Sequence, residues 1–456
     1  MKLDSFITMR IFALLMILLP ALQAEDKQGQ VPSGARMSYL DNGVVKVGVD
    51  LNHGGAIVYL SRDGGDNVIN NFDFGRQVQL SFYSGPVPFT ANGQQPAKHW
   101  EHLGWNPIQA GDDFDHSSPV LAHENDGKIL HVKCQPMQWP LNNVPGDCTF
   151  DTWLELEGSV VKVRARLNNA RKDHKQYRAR SQELPAVYAN GMFHRVVTYS
   201  GDRPFTGDKV SVVPKSTGKH PWSSWQGTEN WAALLDERDQ GIGLITPGRV
   251  PFTGGFAGRP GPNDTFANST GYLAGLGQEI LDHNITYEYR YEFIIGSLKE
   301  IRARAASLRP VSLPVWTFTN SRHGWHYRNS SDQGWPVKGH LRMNLDQKDP
   351  KLISPYVLVQ AEEAKFLIIE AAFKTSHRTA TLFWQRHGEA SPGKEDVINF
   401  PIDNDEQFRR YIIDLSAAPS YRGGISRLRF DPVPNGKLGD WMKVKSIRFS
   451  KQESEL

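Results

Sequence analysis

Net charge is low in this sequence of 456 residues, because 52 basic residues face 49 acidic ones and leave +3 at pH 7. No long basic run occurs, whereas nucleic-acid-binding proteins carry clustered basic faces, so we predict no nucleic-acid partner. The sequence also lacks a Gly-x-Ser-x-Gly elbow in a strand–helix context, a Walker phosphate loop and a dinucleotide fingerprint. We therefore predict no cofactor.

Cysteine is scarce, with Cys134 and Cys148 the only two in the chain. Closing a loop of this size in an oxidising compartment is worth roughly 3 kcal/mol in the chain-entropy model. We predict a disulfide between them. The alternative is a pair of unrelated thiols.

The N-terminus has the pattern of a secretory signal. Lys2 and Arg10 flank its start, residues 11–19 are apolar, and Ala24 precedes an acidic pair. The apolar run is shorter than the ~18 residues that a membrane-spanning helix needs. We predict a signal peptide over residues 1–24, a secreted or periplasmic protein, and no membrane association after cleavage. The alternative is an uncleaved anchor.

Turn-forming residues are abundant, with 41 glycines and 28 prolines, which favours an all-β chain. Apolar residues alternate with polar ones along several short runs, of which residues 286–295 are the clearest. One helix is predicted over residues 297–307, where Ser297 and Glu300 have the spacing of a capping box. The length favours two domains, which we place at 38–309 and 315–452, on either side of a proline-containing segment.

Residues 178–191 carry an unusual density of polar groups for a strand, among them Arg180, Gln182, Glu183 and Tyr188. Burying each of them without a partner would cost ~1–3 kcal/mol. Apolar residues are interspersed, and Pro185 restricts the backbone in the middle. We therefore predict that this segment lies on a sheet, with its apolar side towards the core and its polar side towards a ligand.

Residues 99–116 show neither strand nor helix periodicity, so they are predicted to form a long ordered loop. Long ordered loops are usually functional. This loop contributes Trp105, Asn106, Gln109, Asp112 and His116. Its three histidines are not accompanied by a zinc motif, so we predict no metal site.

The opening of the chain resembles the galactose-mutarotase-like β-sandwich proteins. The resemblance rests on a strand at 42–51, a Gly-Gly-Ala-Ile-Val return at 54–58, a glycine-rich turn at 61–67 and the following Arg76. It covers roughly residues 40–300 and implies a large mutarotase-like sandwich. Segments 75–79, 104–109 and 182–186 are similar to those of secreted carbohydrate-related proteins.

The rest of the chain is similar to the carbohydrate-binding jelly rolls appended to secreted polysaccharide enzymes. Segments 349–355, 382–384, 411–415 and 428–432 carry this similarity. The two resemblances together imply an oligo- or polysaccharide partner.

Glycoside hydrolysis needs two carboxyl groups astride the scissile bond, ~5–5.5 Å apart for retention or ~6.5–9.5 Å for inversion. We predict Glu183 as one of them, held ionised by Arg180, and either Asp112 or Glu229 as the other. Sugars are bound by aromatic faces together with amide, carboxylate and arginine groups. The predicted substrate-binding residues are Arg76, Gln79, Trp105, Asn106, Gln109, Arg180, Gln182 and Trp225.

Two other functions remain open. A lyase or epimerase acting on acidic sugars would use Tyr188 and His116 as proton shuttles, with Arg76 and Arg180 neutralising a carboxylate. A protein that binds glycans without cleaving them is the third option.

Overall fold

The computed structural model describes residues 30–216 and 220–453, and the predicted signal peptide lies outside them. The strands of the first part are β1 (Met37–Asp41), β2 (Val45–Asp50), β3 (Ala56–Arg62), β4 (Val78–Ser81), β5 (Pro107–Ile108), β6 (Val120–Asn125), β7 (Ile129–Cys134), β8 (Met137–Gln138), β9 (Cys148–Glu157), β10 (Val160–Asn169), β11 (Arg180–Asn190), β12 (Arg195–Thr198), β13 (Ser211–Val212), β14 (Trp222–Gln226), β15 (Trp231–Leu235), β16 (Gln240–Ile245), β17 (Pro251–Ala257), β18 (Thr270–Glu279) and β19 (Thr286–Ser297). The helix α1 (Leu298–Ser307) follows β19.

The second part contains β20 (Val315–Thr317), β21 (His326–Arg328), β22 (Leu341–Asn344), β23 (Lys351–Ile353), β24 (Val359–Gln360), β25 (Phe366–Lys374), β26 (Thr379–Arg386), β27 (Val397–Pro401), β28 (Arg409–Asp414), β29 (Gly424–Asp431) and β30 (Trp441–Ser450). Among the described residues α1 is the only α-helix, so the all-β prediction is confirmed. No helix in that part of the chain is long and apolar enough to cross a membrane.

The first sandwich consists of two antiparallel sheets. The front sheet has the order β1-β2-β3-β4-β11-β18-β17-β14, with β5 and β8 attached beside β4, and the back sheet has the order β13-β12-β15-β16-β19-β10-β9-β7-β6. Side chains from both sheets form one apolar core between them. Strand β11 therefore lies in the middle of the front sheet, where the sequence predicted a ligand-facing segment.

Helix α1 covers the outer face of the back sheet, where Ile301 and Ala305 pack against Trp231 and Ile294. The predicted capping box is present, because the Ser297 hydroxyl accepts a hydrogen bond from the Glu300 amide and the Glu300 carboxylate accepts one from the Ser297 amide. The prediction of a half-buried strand before this helix is also confirmed, since buried tyrosines alternate with exposed charged residues along β19.

The second sandwich pairs a five-stranded sheet (β20, β22, β25, β28, β30) with a six-stranded one (β21, β23, β24, β26, β27, β29) around its own apolar core. A buried ion-pair cluster joins the two sandwiches. In it, Arg322 contacts Asp282 of the first sandwich at 2.5 Å and Asp332 of the second at 2.7 Å.

The predicted disulfide is not formed, and Cys134 and Cys148 are buried free thiols. The pairing of β7 with β9 sets Cys134 opposite Phe150, so that Cys148 is a diagonal neighbour two residues along the strand. Diagonal neighbours are ~7–8 Å apart, whereas a disulfide needs a Cβ separation of ~3.5–4.5 Å. Burial raises the pKa of both thiols.

Candidate active site

Glu183 lies on the outer face of the front sheet. Leu184 and Val187 of the same strand are buried in the core between the sheets, whereas Ala186 and Tyr188 pack on the opposite face. Glu183 and Tyr188 are five residues apart, a spacing that puts side chains on opposite faces of a regular strand. The β11 register shifts between Glu183 and Ala186, and this bulge brings both side chains to the same face.

Two tyrosines hold the Glu183 carboxylate. The Tyr272 hydroxyl donates a hydrogen bond to Oε1 at 2.6 Å, and the Tyr83 hydroxyl donates one to Oε2 at 3.0 Å. The Ser81 hydroxyl in turn donates to the Tyr83 hydroxyl at 3.0 Å. Strand pairing produces this arrangement, because Glu183 is the register partner of Ser81 on β4 and of Leu276 on β18.

Burial raises the pKa of Glu183, and the hydrogen bonds from Tyr272, Tyr83 and Ser81 oppose that rise without cancelling it. Burial and the nearby Glu183 charge also raise the pKa values of the Tyr83 and Tyr272 phenols. The tyrosines therefore remain neutral donors while the carboxyl group titrates closer to neutrality. A carboxylic acid with a raised pKa suits general acid–base catalysis.

A row of aromatic rings lies beside Glu183. The Tyr188 and Tyr272 ring centroids are 4.7 Å apart, and those of Tyr272 and Trp222 are 4.8 Å apart. Gly255 lies between Tyr272 and Trp222 in the register. A Cβ at Gly255 would come within 2.2 Å of the Pro221 carbonyl oxygen and 3.2 Å of the Trp222 ring. Glycine at this position therefore lets the rings approach one another.

Arg76 and Asp73 contact each other near Tyr188. Arg76 Nε is 3.3 Å from the Asp73 carboxylate, and its guanidinium donates to the Asn268 carbonyl and side chain at 2.9 and 2.6 Å. Burial raises the pKa of the Tyr188 phenol, the charges of Glu183 and Asp73 raise it further, and Arg76 opposes them. The pKa of Asp73 is also raised, by partial desolvation and by the charges of Asp113 and Asp115, while Arg76 opposes the rise; its side chain is 44% exposed. The charges of Glu183 and Asp73 both act on the Tyr188 phenol.

Asp112 supports the loop in which it lies. Its carboxylate accepts hydrogen bonds from the backbone amides of Phe114 and His116, both at 2.9 Å, and of Asn143 at 2.7 Å. It also contacts the His116 ring at 3.1 Å, and it is almost fully buried. These contacts use both carboxylate oxygens, so Asp112 and His116 stabilise the loop.

Glu229 lies on the opposite side of the first sandwich from Glu183. Its buried carboxylate accepts two hydrogen bonds from Arg302 of α1, at 2.9 and 3.0 Å, and one from the Trp231 indole at 3.0 Å. These partners belong to the helix-covered face of the back sheet. The structure therefore does not bring Glu229 and Glu183 to one site.

The predicted substrate-binding amides are buried parts of the scaffold, and their side chains bond backbone groups. Gln79 bonds Ala110 and Arg76, Asn106 bonds Phe82, Gln109 bonds Leu80, and Gln182 bonds Tyr83. Trp105 is 1% exposed and belongs to the core, so it presents no face to a ligand. Gln182 still serves the site indirectly, because its amide holds the backbone from which Tyr83 projects.

Arg180 does not hold Glu183 ionised. Its guanidinium donates to the carbonyl oxygens of Ser84 and His102, at 3.5 and 2.9 Å, and ties the 99–105 loop to β11. The raised pKa of Glu183 is also opposite to the effect expected from an arginine partner. Trp225 stacks on Phe252 with centroids 6.1 Å apart, and its indole nitrogen is buried with no hydrogen-bond partner.

Ser81, Tyr83, Tyr272, Trp222 and Asp73 were missed from the sequence. They come from four separate segments, and only the pairing of β4, β11, β18, β17 and β14 assembles them. The one local signal is alternation along β18, which puts Tyr272 on the opposite face from Leu273.

No protein-family model matches the chain, and no curated protein is significantly similar to it. Solved structures do align with it. An Escherichia coli K12 protein described as a candidate aldose 1-epimerase is 14% identical, with a TM-score of 0.39 over 58% of this chain and 100% of that chain. A galactose mutarotase-like protein from Lactobacillus casei is 12% identical, with a TM-score of 0.35 over 57% and 99%. A family GH36 α-galactosidase from Geobacillus stearothermophilus is 11% identical, with a TM-score of 0.32 over 60% and 40%.

These aligned proteins are carbohydrate-related, as the resemblance implied. With TM-scores below 0.5 and identities of 11–14%, the similarity transfers neither activity nor site residues to this chain.

Proposed function

We propose that this protein is a secreted carbohydrate-active enzyme that cleaves a glycan, with Glu183 as its general acid–base group. The observation that carries the proposal is the Glu183 carboxylate itself, which is hydrogen-bonded by two tyrosines and has a pKa raised by burial. Glu229 has the opposite shift, because hydrogen bonds from Arg302, the Trp231 indole and the Phe205 amide outweigh its burial.

The neighbouring groups support a sugar as the ligand. The rings of Tyr188, Tyr272 and Trp222 provide aromatic faces of the kind that pack against the C–H surfaces of sugar rings. The Glu183 carboxylate contacts the middle ring, Tyr272, and Arg76 acts on Tyr188 at one end of the row, so both can bond hydroxyl groups of a sugar packed there. An apolar surface with a few convergent polar groups is the usual composition of a small-molecule site.

Asp73 takes the place of the predicted second carboxylate. Asp112 and Glu229 are occupied by structural hydrogen bonds, whereas Asp73 is partly exposed, contacts Arg76 and acts electrostatically on Tyr188. Its raised pKa and its contact with Arg76 are compatible with a proton-transfer or nucleophilic role. In this hydrolysis Glu183 protonates the leaving oxygen as the glycosidic C–O bond breaks, and Asp73 takes a proton from the water that adds to the sugar carbon.

A second candidate is β-elimination or epimerisation of an acidic sugar. It is favoured by the position of Arg76 next to the Tyr188 phenol, because a guanidinium can neutralise the substrate carboxylate while a tyrosine or Glu183 moves the proton.

A panel of neutral and acidic polysaccharides, assayed for reducing ends and for unsaturated uronates, tests both candidates. Turnover with reducing ends alone supports hydrolysis, and products that absorb as unsaturated uronates support elimination. We expect Glu183→Gln to lower kcat/KM by about 10²–10⁴-fold. Glu155→Gln on the exposed part of β9 is the matched control and keeps full activity.

Near-normal turnover by Glu183→Gln would remove Glu183 from the mechanism. Binding of a polysaccharide without turnover by the wild-type protein would instead leave a glycan-binding protein.

A further inference from the structure

A large cleft lies between the two sandwiches, and one of its walls is formed by strands that also carry the candidate active site. Its wall includes Ser181, Ser224 and Leu276, all in strands of the front sheet. Leu276 is the register partner of Glu183 and belongs to the aromatic cluster on the outer face. Ser181 precedes Glu183 by two residues on the same strand. The cleft therefore borders the Glu183 surface.

The size of the cleft indicates a ligand longer than one or two sugar units. Its volume is about 1960 Å³, whereas sites for drug-sized molecules occupy ~300–1,000 Å³. The second sandwich provides the opposite wall, in which residues 355–360 and Arg427 face the front sheet. A chain that occupies the Glu183 surface can therefore continue between the sandwiches.

Tyr356 and Arg427 form an aromatic–cationic pair on the second wall. The Arg427 guanidinium carbon lies 4.4 Å from the Tyr356 ring centroid. Its Nε donates to the Ser354 carbonyl at 3.2 Å, and its Nη2 lies 3.1 Å from His326 Nε2. Tyr356 also bonds the guanidinium through its side chain. The guanidinium is thus held in place by neutral groups.

The charge of Arg427 is not compensated by any carboxylate of the described residues. Arg249 and Arg322 line the same cleft, but they contact Glu279 and Asp282 respectively. Burial and the Arg427 charge together lower the pKa of His326 to about 4, so at neutral pH this ring is a neutral acceptor. Arg328 is a further cation nearby, and burial lowers the pKa of Arg427 itself. A partly buried cation without a counter-ion favours an anionic ligand.

We propose that the cleft between the sandwiches binds an acidic oligosaccharide, with Arg427 pairing with a carboxylate or sulfate group of the chain and Tyr356 packing on an adjacent sugar ring. The sugar class rests on the proposed function. The anionic character rests on Arg427 alone and is independent of the chemistry at Glu183.

Calorimetric titration of the full chain with three hexasaccharides tests this proposal. The probes are hexagalacturonate, its fully methyl-esterified form, and a sulfated hexasaccharide of the heparin type. The first and third distinguish a carboxylate from a sulfate ligand, and the second removes the charge at matched length. We expect at least one acidic probe to bind about tenfold or more tightly than the ester, with affinity that falls as salt increases.

Variants of two arginines on β29 then test whether Arg427 provides the charge that binds the acidic probe. Arg427→Met is expected to lower the affinity for the acidic probe by about 30-fold or more. Arg427→Lys is expected to retain part of it, because lysine keeps the charge but loses the planar fork. Arg429→Gln is the matched control two residues along β29, where the arginine is paired with Asp431 outside the cleft. It is expected to bind like the wild type.

Equal binding of the ester, unchanged affinity in Arg427→Met, or no binding of either acidic probe would overturn the proposal. Tighter binding of a single-stranded oligonucleotide than of every hexasaccharide would overturn the sugar assignment. Arg427→Met in a Glu183→Gln background separates this proposal from the proposed function, because loss of the general acid–base group leaves Arg427 in place and Arg427→Met is still expected to lower the affinity for the acidic probe. If Glu183→Gln turns over its substrate normally while Arg427 still controls binding, the proposed mechanism fails and the cleft site stands.

Discussion

Replacing Arg322 by methionine is expected to destabilise the protein far more than replacing an arginine of an exposed ion pair. The side chains of Arg322, Asp282 and Asp332 are only 4, 2 and 3% exposed, and Arg322→Met leaves both carboxylates buried without their cation. Removing one partner of a buried ion pair costs about 3–5 kcal/mol. At ~2–4 °C for each kcal/mol in large domains, Tm should fall by about 6–20 °C.

Scanning calorimetry measures this change, and Arg409→Met is its matched control. Arg409 also contacts two aspartates, Asp403 and Asp405, but its side chain is 52% exposed, and exposed pairs contribute only ~0–1 kcal/mol. Equal shifts in the two variants would refute the reasoning. Arg322 lowers the pKa of Asp332 below 3.8, so this stabilisation is complete above pH 3.8 and is lost as the pH falls through the lowered pKa.

Three further outcomes follow from individual contacts. Tyr272→Phe removes a hydrogen-bond donor to the ionised form of Glu183, so the pKa of Glu183 should rise further. The limb of the activity–pH profile that reports Glu183 should then move to higher pH, and an unchanged profile would contradict the assignment. Glu229→Gln should lower thermal stability because it leaves Arg302 without its carboxylate, while activity per folded molecule stays unchanged; loss of activity in folded protein would return Glu229 to the mechanism. Both cysteines should react as free thiols after denaturation, with no effect of a reductant on Tm; thiols that titrate only after reduction would restore the disulfide.

Polar density and interspersed apolar residues around Pro185 predicted a strand with one side towards a ligand. In the structure, β11 is a strand of the front sheet with Glu183 and Tyr188 on its outer face, and ligand binding at this face stays a prediction. The polar residues of the 99–116 loop have a different role. There, side chains such as Gln109 satisfy buried backbone groups, which composition alone does not distinguish from ligand contacts.

The observed partners of Glu183 differ from the predicted one for a related reason. Arg180 is the nearest cation in the sequence, but a long side chain contacts the groups that neighbouring strands bring close to it. Arg180 reaches the Ser84 and His102 carbonyls instead, and the tyrosines that contact Glu183 lie about ninety to a hundred residues away in the chain. Side-chain contacts across a sheet depend on register, which short-range spacing does not specify.

Local chemistry by itself determined the elements of this protein: the β class from alternating apolar residues and abundant turns, and the capped helix after β19 from the Ser297–Glu300 spacing. Tertiary structure alone decided the site. The β11 bulge turned two residues at odd spacing to one face, and strand pairing supplied Tyr83 and Tyr272. The contact of a second sandwich created the cleft in which Arg427 lies. The physical reason is that periodicity depends on neighbouring residues, whereas burial, pKa and hydrogen-bond partners depend on segments that only folding brings together.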